Sequence, residues 1–186
     1  DTLLHNAELA LLRAKSSGRG EWSFYDAALD RRLQERRTLS NELRQALAEG
    51  RLRLHFQPLY SADNTALSGY EALARWPHPR RGFVPPAEFI PVAEDSGQIE
   101  ALGRWVLQAA CTEAALWPQD LSVAVNLSAA QFRRGDAIVD EVAHALRASG
   151  LAPARSTVMG RSRTALSVSA VSFTLRMYCM VQPVSS

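Results

Sequence analysis

The sequence has few residues that could bind a metal through sulfur or imidazole. Its two cysteines, Cys111 and Cys179, lie far apart and match neither a redox pair nor a zinc spacing. The four histidines are also scattered, so no histidine-based metal cluster is indicated. Unpaired thiols favour a reducing compartment, and we therefore expect a cytoplasmic protein.

Acidic residues are absent after Glu141, although five arginines follow it. The chain as a whole has a formal net charge of only +2, so its electrostatics do not require a nucleic acid or an anionic membrane as partner. A nucleic-acid binder would depend on the arginine-rich C-terminal part alone, which has neither interleaved aromatic residues nor a recognisable motif. We expect no nucleic-acid partner.

Long hydrophobic runs are scarce as well. Residues 165–184 are apolar enough to suggest a membrane helix, but Arg176 and several serines and threonines interrupt them, and a span needs about 20 predominantly apolar residues. The chain starts at Asp1 without a basic-then-apolar leader. We predict no export signal and no membrane segment, and we interpret the start as a cut from a longer protein.

The composition that remains is that of a globular domain, because 47% of the 186 residues are hydrophobic and 22% are charged. Apolar residues at helical spacing predict a helix over 3–15, which Gly18 ends, and a longer helix over 26–48. The apolar stripe of the longer helix is thin and is broken by Arg36 and Arg37. Such a helix suits a connector between domains.

After this helix the apolar period changes to two, which predicts a strand over 51–57. Turn-forming residues at 61–65 then lead into a second strand over 67–76. So short a connection joins antiparallel neighbours, and we expect a hairpin. The polar face of this hairpin carries Gln57, Glu71 and Arg75.

The proline-rich segment 77–86 predicts an ordered loop. Helical spacing then predicts helices over about 87–96 and 98–116, followed by a strand over 121–126 and a further helix that Gly150 ends. Strands that alternate with helices indicate a parallel α/β unit, here added to the hairpin.

Beyond Pro153 the next strand should begin, but the segment from Arg155 to Ser186 has no acids, no sustained period and no turn pattern. We therefore predict that the native pattern ends near Arg155 and assign 156–186 to an out-of-frame or disordered tail. A genuine C-terminal extension is the alternative.

Four residues of this pattern could carry chemistry: Gln57, Glu71, Arg75 and Asn126. The oxygen donors of Glu71 and of Asn126, at the end of the strand over 121–126, suit Mg²⁺ or Mn²⁺, and Arg75 suits a phosphate. A carboxylate near an arginine is usually a structural ion pair, but in a barrel the polar residues at strand ends are placed to meet a ligand.

Four ordered segments resemble successive signatures of the EAL family of cyclic-di-GMP phosphodiesterases: 56–58 (FQP), 69–76 (GYEALARW), 86–94 (PAEFIPVAE) and 125–128 (VNLS). The similarity covers about 40–155. It implies an α/β fold, an incomplete modified TIM-like (β/α)8 barrel with an antiparallel first strand pair, preceded by a helical connector. We assign 49–155 to the N-terminal part of an EAL domain and 26–48 to the connector.

The resemblance implies that Glu71 and Asn126 are metal ligands and that Gln57 and Arg75 contact the substrate, with Arg75 at a phosphate. The family's reaction is hydrolysis of one phosphodiester of cyclic-di-GMP, which gives pGpG and uses two divalent cations, Mg²⁺ or Mn²⁺. Pairing of EAL domains is common in the family, so a homodimer is an expected assembly.

The family pattern continues with a glutamate on the next strand, a paired-aspartate strand, a catalytic lysine and a later glutamate. None of these has a match between Arg155 and Ser186. We therefore expect that cations are not stably bound here, that cyclic-di-GMP binding is weak or lost, and that no complete catalytic set is present.

Residues 6–20 resemble the closing helix and turn of GGDEF diguanylate cyclase domains, with Leu12 and Gly20 departing from the usual tyrosine and asparagine. This resemblance implies that Lys15 and Arg19 are vestigial phosphate contacts, and we assign 1–25 to the end of such a domain. The GGDEF signature itself is absent, so we expect no cyclase activity.

Together these patterns predict a fragment of a bacterial GGDEF–EAL signalling protein of cyclic-di-GMP turnover that is inactive as this chain. The alternative is a non-catalytic module that binds cyclic-di-GMP or another protein.

Overall fold

The structure is a computed structural model that describes residues 27–61, 65–133 and 135–160. The chain divides into two compact units, residues 1–39 and 40–186. The first helix, α1 (Ala27–Ala48), begins in the first unit and ends in the second. The predicted helix over 26–48 is therefore present, while its role as a connector stays a prediction.

Three predictions fall outside the described residues. They are the helix over 3–15 with its turn at Gly18, the two GGDEF-like positions Lys15 and Arg19, and the part of the predicted tail after Gly160.

The second unit alternates strands and helices after an initial hairpin. Its further elements are β1 (Arg53–Tyr60), β2 (Leu67–His78), β3 (Gly82–Val84), α2 (Pro86–Asp95), α3 (Ile99–Ala114), β4 (Ser122–Leu127), α4 (Ala129–Phe132), α5 (Asp136–Ser149) and β5 (Ser156–Gly160). Gly150 adopts the left-handed conformation, with φ of 71°, that ends α5 where the sequence predicts it.

The main sheet has the strand order β1-β2-β4-β5, and β3 pairs separately with β2. The β1–β2 pair is antiparallel, whereas β2–β4 and β4–β5 are parallel. This arrangement confirms the predicted α/β architecture with an antiparallel first strand pair.

The segment 77–86 differs from the loop that its prolines predict. The strand β2 continues through Pro77, and β3 pairs with its end so that Trp76 lies opposite Val84. Pro77 is tolerated because β1 pairs with β2 only as far as Arg75, so the missing N–H breaks no β1–β2 bond.

The strand β5 is a second difference, because sequence periodicity predicts no strand after Arg155. In the structure, Val158 lies buried opposite Val125 in parallel pairing with β4. A five-residue strand is too short to show a period, and its β-branched residues were the available signal.

The core lies between the sheet and the helices that pack on it. Helix α3 buries a stripe that includes Leu102, Val106 and Ala110 and packs against α5 and β4. The buried rings of Trp76 on β2 and Phe89 on α2 meet edge to face with centroids 5.9 Å apart. No helix among the described residues is long and apolar enough to cross a membrane.

A buried arginine, Arg155, joins the end of α3 to the beginning of β4. Its guanidinium donates hydrogen bonds to four backbone carbonyls, those of Ala114 (2.9 Å), Trp117 (3.3 Å), Pro118 (2.9 Å) and Leu121 (2.9 Å). Two of these carbonyls, those of Ala114 and Pro118, also accept from the N–H groups of Trp117 and Leu121. The guanidinium adds a second donor there and supplies hydrogen bonds to the carbonyls of Trp117 and Leu121.

Candidate functional site

The register of the β1–β2 hairpin brings three of the predicted site residues to one face. Gln57 lies directly opposite Glu71, and Arg75 is four residues farther along β2. Side chains alternate along a strand, and directly opposite residues share a face, so all three project to the same side of the sheet. Gln57 is exposed, while Glu71 and Arg75 are half-buried.

Asn126 reaches this face from the neighbouring parallel strand. Ala72 pairs with Val125, so Asn126 lies one step farther toward the carboxyl end of β4. Its Nδ2 donates a hydrogen bond to Oε1 of Glu71. The structure thus brings together two residues that are 55 positions apart in the chain.

A glycine two residues before Glu71 allows β2 and β4 to lie next to each other there. A Cβ on Gly69 would come within 2.1 Å of the backbone oxygen of Ser122. Ser122 completes the junction by donating a hydrogen bond from its hydroxyl to the carbonyl of Ser68 at 3.0 Å. The absence of a side chain at residue 69 therefore helps to set the spacing of the strands that carry Glu71 and Asn126.

Arg75 shares the face of Glu71 but lies closer to the end of β2. Its Nη1 donates to the carbonyl of Ala74 at 3.0 Å, which orients the guanidinium without neutralising it. Among the described residues, no ion pair joins Arg75 to Glu71. The structural ion pair that the sequence left open is therefore not formed on this face.

A polar cluster that sequence analysis missed fixes the end of β2, three residues beyond Arg75. The buried His78 ring accepts hydrogen bonds at Nδ1 from the N–H groups of Arg80 and Arg81, both at 3.2 Å. Its Nε2 lies 3.3 Å from Oε2 of Glu42 on α1. With Nδ1 serving as an acceptor, the hydrogen of the neutral ring belongs on Nε2, on the side of the ring nearest Glu42.

Glu42 also pairs with the side chains of Arg80 and Arg81. This cluster therefore ties α1 to the tight turn between β2 and β3. A histidine in a proline-rich turn has no periodic pattern, and only the Arg-Arg-Gly sequence that follows Pro79 hinted at a turn there.

Glu71 and Asn126 offer a carboxylate and an amide, which are ligand types that Mg²⁺ and Mn²⁺ accept. No group of three or more histidine, cysteine, aspartate or glutamate side chains suited to a metal occurs in residues 27–61, 65–133 and 135–160. Two neighbouring cations need several carboxylates to offset their charge. The residues present therefore do not fit a two-cation centre.

Comparisons with known proteins agree with the order of motifs along the chain. The family model described as the EAL domain matches residues 40–159. A Caulobacter vibrioides protein named only as an uncharacterized signaling protein is 48% identical over 155 residues, which are 83% of this chain and 19% of that protein. The bifunctional diguanylate cyclase/cyclic di-GMP phosphodiesterase MucR of Pseudomonas aeruginosa is 39% identical over 168 residues, 88% of this chain and 24% of that protein.

Among solved structures, the one titled as the PaMucR phosphodiesterase in complex with c-di-GMP superposes with a TM-score of 0.62 at 42% identity. The match covers 66% of this chain and 51% of that one. The chain thus spans about a fifth of the length of the first curated relatives and about half of this solved domain.

Proposed function

The chain belongs to the EAL domain family, and we propose that its 186 residues form the opening part of a cyclic-di-GMP site that binds the dinucleotide weakly and does not hydrolyse it. The parent reaction is hydrolysis of cyclic-di-GMP to pGpG. In this proposal Arg75 meets a phosphate, Gln57 contacts the substrate, and Glu71 with Asn126 supplies the oxygen ligands of a divalent cation.

One observation carries this proposal, the contact between Asn126 and Glu71 across β2 and β4. Two polar side chains from distant parts of the sequence meet at the carboxyl end of parallel β4, which is where ligands bind in α/β sheets and barrels. The half-buried guanidinium of Arg75 on the same face adds the positive charge that a phosphodiester needs.

The absence of catalysis follows from the carboxylates. Where the family places a glutamate on the next strand, β5 contains Ser156 to Gly160 and no acid. Because no aspartate or glutamate occurs after Glu141, the paired-aspartate strand also has no counterpart in the 186 residues. Without these groups no step of metal-assisted hydrolysis can be assigned to the chain.

We extend the proposal to the origin of the chain. Residues 1–25 derive from the end of a GGDEF domain, 26–48 connect it to the EAL part, and the residues after β5 are a tail that does not belong to the family pattern. Pairing of two copies through the EAL part and a cytoplasmic location belong to the same proposal, the latter supported by the free thiol of the buried Cys111. Translation of the underlying DNA in the other frames after the codon for Arg155 tests the tail directly, since glutamate-bearing and paired-aspartate strands in another frame would identify a frameshift.

The central test is equilibrium dialysis of the chain against labelled cyclic-di-GMP, with and without Mn²⁺, together with an assay for released pGpG. We expect measurable binding, a loss of about tenfold in affinity for Glu71→Gln, and no pGpG. Glu113→Gln, the same change at an exposed position on α3, is the matched control and should bind like the unchanged chain.

Metal-dependent release of pGpG would contradict the non-catalytic part of the proposal. Absence of binding, or equal affinity for the Glu71 and Glu113 variants, would contradict the ligand site. The remaining hypothesis would then be that the chain is a protein-interaction module.

A further inference from the structure

Two arginines face each other across the β1–β2 hairpin. Arg53, the first residue of β1, lies directly opposite Arg75 near the end of β2. In an antiparallel pair such partners share a face, with Cβ atoms about 4.5–5.5 Å apart, and like charges in this position destabilise the sheet. An arrangement of this kind is stabilised when an anion lies between the two guanidinium groups.

The second unit has eight other arginines among its described residues. Four of these have a carboxylate within 4 Å: Arg51, Arg80, Arg81 and Arg104. Within the described part of the chain, no ion pair is formed by Arg53 or Arg75. Their positive charges therefore add on one face of the sheet.

Backbone hydrogen bonds nevertheless hold both side chains in place. Nη1 of Arg53 donates to the carbonyls of Gly50 at 3.1 Å and Leu52 at 3.0 Å, and Nη1 of Arg75 donates to Ala74. Neutral carbonyls orient a guanidinium without cancelling its charge. Each group has five N–H donors, so its Nε and Nη2 donors are left to serve a second acceptor such as a phosphodiester oxygen.

The position of the pair connects it to the Glu71–Asn126 contact. Because β1 is antiparallel to β2, the start of β1 and the end of β2 lie at the same edge of the sheet, which is also the edge where parallel β4 ends. Continuing the β2–β4 register places Asn126 level with Leu73, so Arg75 and Arg53 lie two residues farther out. At 3.3 Å per residue this is roughly 7 Å along the strand.

We propose that Arg53 is a specificity-determining residue that, together with Arg75, binds the phosphodiester of cyclic-di-GMP that does not face Glu71 and Asn126. This inference rests on the proposed function, since it assigns the second phosphate of the same ligand. It explains how the site distinguishes a cyclic dinucleotide from a mononucleotide, because a ligand with a single phosphate cannot occupy both positions.

The test compares Arg53→Gln, Arg53→Lys and Arg147→Gln in the full chain. Arg147 is an exposed arginine on α5, away from this face, and provides the same loss of charge. We expect Arg53→Gln to weaken binding of cyclic-di-GMP about tenfold and to lower the salt dependence of binding, while GMP binding stays unchanged. Lysine should restore part of the affinity, because it keeps the charge but not the fork of donors.

A second measurement does not depend on the dinucleotide. At low ionic strength, Arg53→Gln should raise the melting temperature relative to Arg147→Gln by removing the repulsion, and inorganic phosphate should raise the melting temperature of the unchanged chain more than that of Arg53→Gln. Equal behaviour of the two variants in this assay overturns the inference, even if cyclic-di-GMP binds. If the unchanged chain shows the phosphate effect but does not bind cyclic-di-GMP, the proposed function is contradicted. Arg53 and Arg75 would then form a general anion site.

Discussion

The two ends of β4 satisfy their polar groups in opposite ways. At its beginning, the buried Arg155 donates to four carbonyls, including that of Leu121 just before the strand. At its end, Asn126 contacts Glu71 on an open face, and Arg53 and Arg75 are held without a carboxylate among the described residues. The beginning of the strand therefore stabilises the fold, whereas in the proposed function its end binds a ligand, as at the two faces of α/β barrels.

The largest effect on stability is expected at the beginning of β4, where Arg155 is the anchor. Arg155→Met removes four hydrogen bonds, two of them to carbonyls that keep a backbone donor, and we expect a loss of roughly 2–3 kcal/mol in the free energy of unfolding. Urea denaturation measures the effect. Arg155→Lys should recover only part of the loss, since one ammonium cannot span the four carbonyls.

Arg104→Met on the exposed surface of α3 is the matched control, and its ion pair with Glu141 should contribute less than about 1 kcal/mol. Equal losses for Arg155→Met and Arg104→Met would contradict the anchoring role.

A second change tests the junction between the strands that carry the site. Gly69→Ala forces a Cβ against the backbone oxygen of Ser122, which cannot move without disturbing the β2–β4 pairing. We expect a loss of roughly 1–3 kcal/mol in the free energy of unfolding, measured by the same denaturation assay. Gly50→Ala meets no atom within 4 Å and isolates the strain of a positive φ alone. Equal losses in the free energy of unfolding for Gly69→Ala and Gly50→Ala would contradict the role of Gly69 in spacing the two strands.

At the other end of β4 the effect on stability should be small. Glu71→Gln removes a charge from a hydrogen bond on the open face, so we expect a change of about 1 kcal/mol or less in the free energy of unfolding. Calorimetric titration with Mn²⁺ should in contrast show weaker binding than in the unchanged chain. A large loss of stability with unaltered Mn²⁺ binding would assign Glu71 to the fold rather than to a ligand.

The effect that should be smallest at neutral pH concerns Cys111, near the end of α3 that Arg155 contacts. Burial raises the pKa of its thiol from 9.0 to about 11, so in a Cys179→Ser background the native chain should react slowly with a disulfide reagent at pH 8. Because the folded thiol binds its proton more tightly than the unfolded one, stability should decline as the pH rises from about 9 to 11. Cys111→Ala should remove this decline, and a slope that persists in the variant would place its origin elsewhere.

The sequence was informative where the structure is local or periodic. Alternation along β1 and β2 and a five-residue turn between them were enough to predict the hairpin, and with it the shared face of Gln57, Glu71 and Arg75. The carboxyl end of a predicted strand likewise marked Asn126, since neighbouring parallel strands end at the same edge.

The rest depended on contacts that no pattern encodes. Arg155 binds backbone carbonyls, which every residue possesses, so nothing in its neighbourhood distinguishes it from a solvated arginine. His78 and Glu42 meet only because the part of α1 that belongs to the second unit lies near the β2–β3 turn. The opposition of Arg53 and Arg75 depends on the exact register, which hydrophobic alternation alone does not fix to a single pairing.

The contact between Glu71 and Asn126 also has a temporal consequence. Its partners are 55 positions apart, and the segment between them includes β3, α2 and α3. A large loop must therefore be closed before they can meet. A growing polypeptide on the ribosome can complete its hairpin early, yet it cannot assemble this pair until β4 has emerged. The proposed nucleotide could then bind only late in synthesis. A ligand added during synthesis would stabilise only the last stages of folding.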